Sequence, residues 1–506
     1  MRSISVKKRI FFVAALLAIG LAAHFLPFER AALAPDDYAS LVRSLGPGSG
    51  SAAYDERPLN RLFLMAQSAA AGDNANAGFA LLLLSDALLV ISVYMLLDKL
   101  LKDPSLSFLA SAFFCVMPNT LEIYQSAIYA NIAVVSAVYV LCLHLFLKYI
   151  DGGNAWLLVF SAALYTAGIF WYETGFFTPA IAAVAALGTK GGRKHSWLVY
   201  IPLMAVYAVY RVASGTASSA GVEAHAVSVS MVPFNIMETI RHYAGRYIAR
   251  SVIYGFYRFA AMGLPLLALS SLLALAFGYL AAKISGACEM SRLNRRQLLL
   301  SFAMAVFWLL PILLNSSGGV GGRHLLLPSV GVSVLGIAVL GFSGRYRKVM
   351  TATAFILLMV ISQGNAWSQA VACRINAAVY DYLKENRAAL SNAKCVVIDT
   401  KSFAEKIPFT LVKGGYNVLN TYYGAQAFED WGLKSMVKLA SGQKDKAVYI
   451  AITRPERSPE GTFFDIGGYK GYRTIEPEHV DIKGDCFIVD YANVYDKGFR
   501  DGLNAR

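Results

Sequence analysis

The sequence predicts an all-α protein that crosses a membrane about eleven times and ends in a small α/β domain outside the membrane. Two observations predict this class. Hydrophobic residues make up 57% of the 506 residues and charged residues only 15%, whereas about a quarter of the residues in soluble domains are charged. Apolar runs of about 17–25 residues, the length that a helix needs to cross a bilayer, recur through the first three quarters of the chain.

These apolar runs place the membrane spans. The first, "KKRIFFVAALLAIGLAAHFLP", has a basic flank and no convincing small-x-small cleavage site, which predicts a retained helix rather than a removed signal peptide. The predicted spans are 9–27, 78–98, 104–121, 127–147, 155–171, 174–189, 196–213, 260–282, 298–315, 325–342 and 349–367.

The charge distribution predicts the orientation of the spans. Lys and Arg cluster in alternate short loops, as at 7–9, Arg193 and Arg295, whereas the short loops near Glu122 and Glu173 contain neither. Basic short loops are typically cytoplasmic. We therefore expect a multi-pass protein of a bacterial cytoplasmic membrane with a cytoplasmic N-terminus and a periplasmic C-terminus. Because the net charge of +14 is explained in this way, it does not indicate a nucleic-acid partner.

Two regions are predicted along the chain. Residues 1–367 form a transmembrane domain with long outer loops at 28–77 and 214–259, and the second loop contains an amphipathic pattern typical of a helix in the membrane interface. Residues 368–506 alternate strand-like runs such as "KCVVIDT" and "DCFIVDYA" with helical or loop stretches, which predicts the outer α/β domain.

Two cysteines begin strand-like runs in this outer domain. Cys395 and Cys486 lie on the side of the membrane where disulfides form. A disulfide across a small sheet and two ordinary buried thiols are both compatible with the pattern. The spacing of the six cysteines does not suggest a zinc or haem site.

The first outer loop contains adjacent carboxylates in "APDDY". Asp36 and Asp37 are compatible with a solvated loop that caps a short helix. The alternative is a general base at the edge of an apolar cavity, where partial desolvation raises the pKa of a carboxylate.

Further polar groups are predicted on the same side of the membrane. Glu122 ends a span in "MPNTLEIY", and Glu173 lies in the tight hairpin "FWYETGFF". An interfacial glutamate and a helix cap are the structural alternatives for these two. The glycine-rich "NSSGGVGGRHLLLPSVG" ends in Arg323 and His324. An arginine there suits a phosphate, although an arginine that extends to lipid headgroups explains it too.

Together these segments resemble the GT-C superfamily of integral membrane glycosyltransferases, over about residues 9–342. "APDDY" is similar to the acidic first-loop motif, and "PNTLE", "YETGFF" and "RHLLLPSVG" resemble segments of the O-mannosyltransferases. Tyr172 replaces a basic residue of that pattern, His324 replaces an aromatic one, and the C-terminal region is unlike tetratricopeptide repeats. The chain therefore looks more like bacterial transferases that decorate O-antigen and other surface glycans, including the phage-type glucosyltransferases.

The resemblance implies inverting transfer of a sugar from a polyprenyl-phosphate monosaccharide to an acceptor hydroxyl at the outer membrane face. Asp37, or its neighbour Asp36, is then the catalytic base, with a weak preference for Asp37. The residues expected to bind the donor phosphate are Arg323, His324, Arg241 and Arg246. Those expected to bind substrate are Glu122, Glu173, Tyr124 and Tyr172.

The expected partners are the lipid-linked donor, a glycan or lipid-linked acceptor and the bilayer. The reaction requires no metal, although a divalent ion bridging two acids stays compatible with the sequence. A transporter or flippase for a lipid-linked sugar is the main alternative, but no internal repeat is present and the acids concentrate on one side. A protein O-glycosyltransferase, for example of pilin, and a structural membrane subunit are further alternatives.

Overall fold

In the computed structural model, a bundle of helices is followed by a small mixed sheet. The structure describes residues 6–25, 33–34, 37–38, 40–42, 57–117, 123–124, 126–187, 191–213, 232–240, 250–260, 262–288, 293–314, 322–406, 430–442, 446–466, 469–470, 473–474 and 478–494.

A helix overlaps each of the predicted membrane spans. In the bundle the helices are α1 (Val6–Gly20), α2 (Pro58–Ala71), α3 (Ala75–Leu101), α4 (Pro104–Cys115), α5 (Ala130–Gly152), α6 (Ala155–Trp171), α7 (Thr178–Leu187), α8 (Tyr200–Ala213), α9 (Val232–Ile240), α10 (Arg250–Ala260), α11 (Leu264–Ala287), α12 (Arg295–Phe307), α13 (Leu310–Leu313), α14 (Leu326–Gly341) and α15 (Arg347–Glu385). Among the described residues, six helices are long and apolar enough to cross a membrane, and four apolar helices are shorter.

Ion pairs join helix ends at one end of the bundle. Arg9 Nη2 lies 3.1 Å from Asp98 Oδ2 at the end of α3. Lys99 Nζ lies 2.6 Å from Asp151 Oδ2 at the end of α5. Arg9 and Lys99, two of the basic residues that predict the cytoplasmic side of the membrane, therefore lie with acids at one end of the bundle.

The longest helix, α15, connects the bundle to the sheet. Its 39 residues continue through residue 368, where the sequence predicts the outer domain to begin. Helix α10 packs closely against it, since a Cβ on Gly364 would lie 2.0 Å from the carbonyl oxygen of Gly255. Buried Arg258 donates from Nη1 to Asn365 Oδ1 at 3.0 Å. The amphipathic segment that the sequence predicts in residues 214–259 thus contains two described helices, α9 and α10.

The C-terminal region contains a mixed sheet of six strands and a separate two-stranded ribbon. The sheet strands are β1 (Cys395–Asp399), β2 (Ala447–Ala451), β3 (Glu456–Arg457), β4 (Thr462–Ile466), β7 (Glu478–Ile482) and β8 (Cys486–Val489), and the ribbon consists of β5 (Tyr469–Lys470) and β6 (Arg473–Thr474). The strand order in the sheet is β3–β4–β2–β1–β8, with β7 paired to β4; β1 is parallel to β2 and to β8, and the pairs of β4 are antiparallel. The accompanying helices are α16 (Arg387–Asn392), α17 (Thr400–Lys406), α18 (Asp430–Ser441) and α19 (Tyr491–Val494).

The two cysteines of the outer domain lie opposite each other in this sheet. Cys395 on β1 is in register with Cys486 on β8. The two are disulfide-bonded and buried. Of the alternatives that the sequence left open, the structure therefore has the disulfide across the sheet.

Candidate active site at one end of the helical bundle

The acidic first loop begins a short helical turn at Ala34. Asp37 N donates to Ala34 O at 3.0 Å, and Asp37 Oδ2 accepts from Ala34 N at 2.9 Å. This side-chain bond back to the start of the turn is one half of a capping box. Part of the role of Asp37 is therefore to fix the local backbone.

The other carboxylate oxygen of Asp37 binds a distant segment. Oδ1 accepts from Ser126 Oγ at 2.6 Å and from Ile128 N at 2.7 Å, directly before α5. Asp37 is 4% exposed. Burial raises its pKa and the hydrogen bonds from Ser126 and the backbone lower it, with a net rise to about 6. Above that pH the carboxylate holds the first loop against the start of α5.

The hairpin that contains Glu173 is shaped by tyrosines. Glu173 begins the 3-10 turn Glu173–Gly175 between α6 and α7. A Cβ on Gly175 would lie 2.4 Å from the ring of Tyr139, so only glycine leaves room for that ring. Tyr139 donates its hydroxyl to Tyr172 O at 2.8 Å, and Tyr165 donates to Phe176 O at 2.8 Å. Glu173 is thus presented from a tightly packed backbone.

Two arginines and a tyrosine surround the Glu173 carboxylate. Arg57 Nε lies 3.2 Å from Oε1, and Arg57 Nη2 lies 2.9 Å from Oε2. Arg211 Nη1 donates to Oε1 at 3.0 Å, and the Tyr207 hydroxyl donates to Oε1 at 2.5 Å. Burial alone would raise the pKa of Glu173, but Arg57, Tyr207 and Arg211 lower it below its ordinary value. Burial would lower the pKa of Arg57, but Glu173 and its neighbours raise it, so both groups stay charged.

This arginine cluster, Arg57, Glu173 and Arg211, remains partly open. The side chains of Arg57, Arg211 and Glu173 are 17%, 21% and 23% exposed. Helix α8, which contains Arg211, has strongly exposed apolar residues at Val209 and Val212 in the same last turns. The cluster places two guanidinium groups and one carboxylate beside an apolar helix face.

Helix α2 connects the arginine cluster to the Asp37 segment. Arg57 stands directly before α2, with its guanidinium carbon 4.3 Å from the ring centroid of Tyr172. Farther along α2, Gln67 Nε2 donates to Ala127 O at 2.7 Å, next to the two donors to Asp37. Both polar groups therefore lie at the same end of the bundle.

Tyr124, predicted to bind substrate, lies in a buried polar cluster instead of on an open surface. It is 4% exposed, and its hydroxyl donates to Asp86 Oδ1 at 2.6 Å. Its ring stacks on His24 at 3.8 Å between centroids, and His24 Nε2 lies 2.6 Å from Cys115 O. Sequence reasoning missed Asp86 and His24, although ionisable residues inside apolar spans are a recognised signal of function.

The structure describes only some of the predicted site residues. It brings Tyr172 and Glu173 into the arginine cluster and places His324 in the 3-10 turn Gly322–Leu325 before α14. Five predicted site positions lie outside the described part of the structure: Asp36, Glu122, Arg241, Arg246 and the side chain of Arg323.

Sequence reasoning missed Ser126, Arg57, Tyr207 and Arg211. Arg211 gave a usable signal, because it is a cation at the outer end of a predicted span and opposes the positive-inside rule. Within the described part of the chain, no three His, Cys, Asp or Glu side chains are grouped to hold a metal ion.

No protein-family model and no curated protein matches the sequence. Similar solved structures include the oligosaccharyltransferase AglB from Archaeoglobus fulgidus with an inhibitory peptide and a dolichol-phosphate, at 13% identity and a TM-score of 0.44 over 87% of this chain. ArnT from Cupriavidus metallidurans bound to undecaprenyl phosphate is 12% identical, with a TM-score of 0.39, over 88% of this chain and 90% of its own. This chain spans 64% of the AglB chain. At these identities and TM-scores the similarity assigns neither a family nor an activity to this chain.

Proposed function

We propose that this chain transfers a sugar from a polyprenyl-phosphate monosaccharide to an acceptor hydroxyl on a surface glycan such as O-antigen, at the outer face of a bacterial cytoplasmic membrane. The observation that carries the proposal is the arginine cluster beside the exposed apolar face of α8. A lipid phosphate needs cations at the membrane interface and an apolar surface for its tail. The cluster supplies both, on the side of the bundle that contains the first-loop aspartates.

The donor phosphate binds to the guanidinium groups of Arg57 and Arg211, on the side of Arg57 that its fork to Glu173 leaves open, with the polyprenyl tail along α8. Guanidinium groups bind phosphate oxygens in pairs, which fixes orientation as well as charge. Glu173 holds the two guanidinium groups close together and fixes their orientation. Arg323, His324, Arg241 and Arg246 stay in the proposal as further phosphate ligands, on the strength of the sequence resemblance alone. Glu122 stays a proposed ligand of sugar hydroxyls on the same basis.

The hydrogen bonds of Asp37 favour other roles for the two aspartates than the sequence-based preference for Asp37 as the base. Three donors already occupy its two oxygens, and 4% exposure leaves little surface for an acceptor. We therefore propose Asp36 as the catalytic base and Asp37 as the positioning residue that holds the loop. Tyr124, through Asp86, supports the segment to which Asp37 is bound.

The proposed reaction is a single displacement. The acceptor oxygen forms a bond to the anomeric carbon as the bond from that carbon to the phosphate oxygen breaks, and the configuration inverts. The hydroxyl proton goes to the carboxylate of Asp36, and the bonding electron pair leaves with the polyprenyl phosphate. Positive charge develops on the sugar ring in the transition state. The arginines stabilise the negative charge that grows on the phosphate.

The test uses the full-length chain in lipid nanodiscs with radiolabelled polyprenyl-phosphate hexoses. We expect release of the polyprenyl phosphate and transfer of label to a glycan acceptor, whereas a flippase would move the donor without cleaving it. Asp36→Asn should lower kcat by about 10²–10⁴-fold, the usual contribution of a general base. Full activity of Asp36→Asn at normal expression would remove the base assignment.

The arginine cluster is tested in the same assay. Arg57→Lys and Arg211→Lys keep the charge but lose the planar fork, so each should raise the donor KM with less effect on kcat. Arg9→Lys is the matched control, because Arg9 pairs with Asp98 at the opposite end of the bundle. A donor KM that is unchanged in both cluster variants would refute the phosphate assignment.

A further inference from the structure

A cavity of about 220 Å³ lies at the junction of the first loop, the start of α3 and the end of α15. It is separate from the arginine cluster and belongs to none of the groups assigned above. The lining residues used below are Tyr38, Asp73, Asn76, Tyr380, Asp381 and Lys384.

The size and the lining of the cavity suit one substituted six-membered ring. A cavity of about 150 Å³ holds a benzene ring, so about 220 Å³ leaves room for ring substituents. Tyr38 and Tyr380 line the cavity with their rings packed against each other, centroids 4.8 Å apart, and Leu33, Ala75 and Ala377 add apolar lining. Carboxylate, amide and ammonium groups line the same cavity from two different helices. An apolar wall with a few fixed polar groups is typical of small-ligand sites.

The charge of the lining selects the kind of ring. Asp73 and Asp381 carry two negative charges, and Lys384 carries one positive charge. Lys384 Nζ is 2.7 Å from Asp73 Oδ2 and 4.5 Å from the ring centroid of Tyr380, so its charge is directed into the lining. Because Lys384 is already paired with Asp73, the lining is poorly suited to a phosphate. Acid and amide side chains beside apolar groups suit the hydroxyl groups and the C–H face of a neutral pyranose.

The position of the cavity connects it to the proposed reaction. Tyr38 follows Asp37 directly in the sequence. Ala34, whose backbone N–H and carbonyl oxygen both hydrogen-bond to Asp37, packs against Cys373 of α15. A ring in the cavity therefore lies against the loop that carries the two aspartates. A glycan bound there extends towards that loop through its next sugar.

We infer that this cavity is a subsite for a neutral sugar ring of the acceptor glycan, one unit removed from the reacting hydroxyl. The inference rests on the proposed transferase function, which it deepens by naming the acceptor as a neutral glycan. Asp73, Asn76 and Asp381 bind the ring hydroxyls, and the apolar lining at Leu33, Ala75 and Ala377 lies against its C–H face.

Saturation-transfer-difference NMR tests the subsite without catalysis. The full-length chain in nanodiscs is mixed with methyl glycosides of glucose, galactose, mannose, rhamnose and N-acetylglucosamine. We expect saturation of the ring protons of at least one glycoside, reduced at least fivefold by Asp381→Asn and by Asn76→Ala. Glu460→Gln, an exposed change in the C-terminal domain, should leave the signal unchanged. In the transfer assay, Asp381→Asn should raise the acceptor KM at least fivefold and leave the donor KM unchanged.

The outcomes separate this inference from the proposed function. If no glycoside binds, or if both pocket variants bind as the parent does, the subsite is wrong even when carrier release occurs. Displacement of the glycoside by inorganic phosphate at equal concentration would also overturn it. If a glycoside binds and the variants weaken it while no donor is cleaved, the pocket stands and the transferase proposal fails. Thermal unfolding of each variant shows whether a lost signal reflects the pocket or the fold.

Discussion

The ion pair between Arg57 and Glu173 gives the most quantitative test of the candidate site. The change is a double-mutant cycle with Arg57→Gln, Glu173→Gln and the two combined. Such a cycle isolates the energy that couples two groups from the other effects of each change. Arg57→Gln removes the stacking of Arg57 on Tyr172 both in the parent and in the Glu173→Gln background, so the energy of that stacking cancels from the coupling.

The expected coupling follows from the geometry. Arg57 meets both carboxylate oxygens, at 3.2 and 2.9 Å, and the two side chains are 17% and 23% exposed. Hydrogen bonds to charged groups contribute about 1.5–3 kcal/mol each, while exposed ion pairs contribute below about 1 kcal/mol. For a pair that is mostly buried we expect about 2–3 kcal/mol. Arg57→Lys keeps the charge and loses the fork, so it should retain about half of this coupling.

The assay is unfolding by SDS in mixed micelles, followed by tryptophan fluorescence. The exposed pair of Lys384 and Asp73, at 44% and 52% exposure, is the internal control and should couple by less than about 1 kcal/mol. A coupling for Arg57 and Glu173 no larger than this control would refute the reasoning. As a second readout, the lowered pKa of Glu173 contributes stability that is present above its unfolded pKa of about 4.3 and lost as pH falls through the lower folded value. Glu173→Gln should abolish that acid-dependent loss.

Further predictions concern the loop, the helix contact and the sheet. The pKa of Asp37 is raised to about 6, so the carboxylate that holds the first loop becomes protonated below that pH. The transfer rate should therefore fall as pH drops through about 6, and Asp37→Asn should be slow and nearly independent of pH over that range. An unchanged pH profile in the variant would contradict this. Gly364→Ala should destabilise the protein by about 1–3 kcal/mol through overpacking. Gly336→Ala is its control and should be neutral or stabilising, because open space surrounds that position. Cys395→Ser with Cys486→Ser should cost the sheet domain about 2–5 kcal/mol, measured as faster proteolysis of that domain.

The fold was predictable where a single physical rule dominates. Length and apolarity place helices, since a bilayer leaves the backbone few other ways to satisfy its hydrogen bonds. The runs at Cys395 and Cys486 similarly predicted paired strands outside the membrane. The close contact of α10 with α15 was not predictable, because it depends on Gly255 and Gly364 meeting across more than a hundred residues of sequence. An amphipathic pattern alone does not distinguish a helix on a lipid surface from one on another helix.

The candidate site was predictable only in part, because the partners of a charge come from distant segments. "YETG" drew attention to Glu173 as an acid at a span end. The two arginines that bind it, Arg57 and Arg211, lie 116 residues earlier and 38 residues later in the chain. Asp37 likewise looked free in the sequence, whereas Ser126, 89 residues later, binds it. Local sequence identifies which charges are unusual, but it does not show which of them are already paired.

Pairing therefore changes which residues are good candidates for chemistry. A catalytic base must exchange a proton with the substrate, so a carboxylate whose oxygens already accept several internal bonds suits positioning better than proton transfer. By this criterion Asp37 becomes a support and its neighbour Asp36 the base. The same reasoning assigns Glu173 to holding Arg57 and Arg211 rather than binding sugar. Glu173 holds the two guanidinium groups in place only while it remains ionised between them.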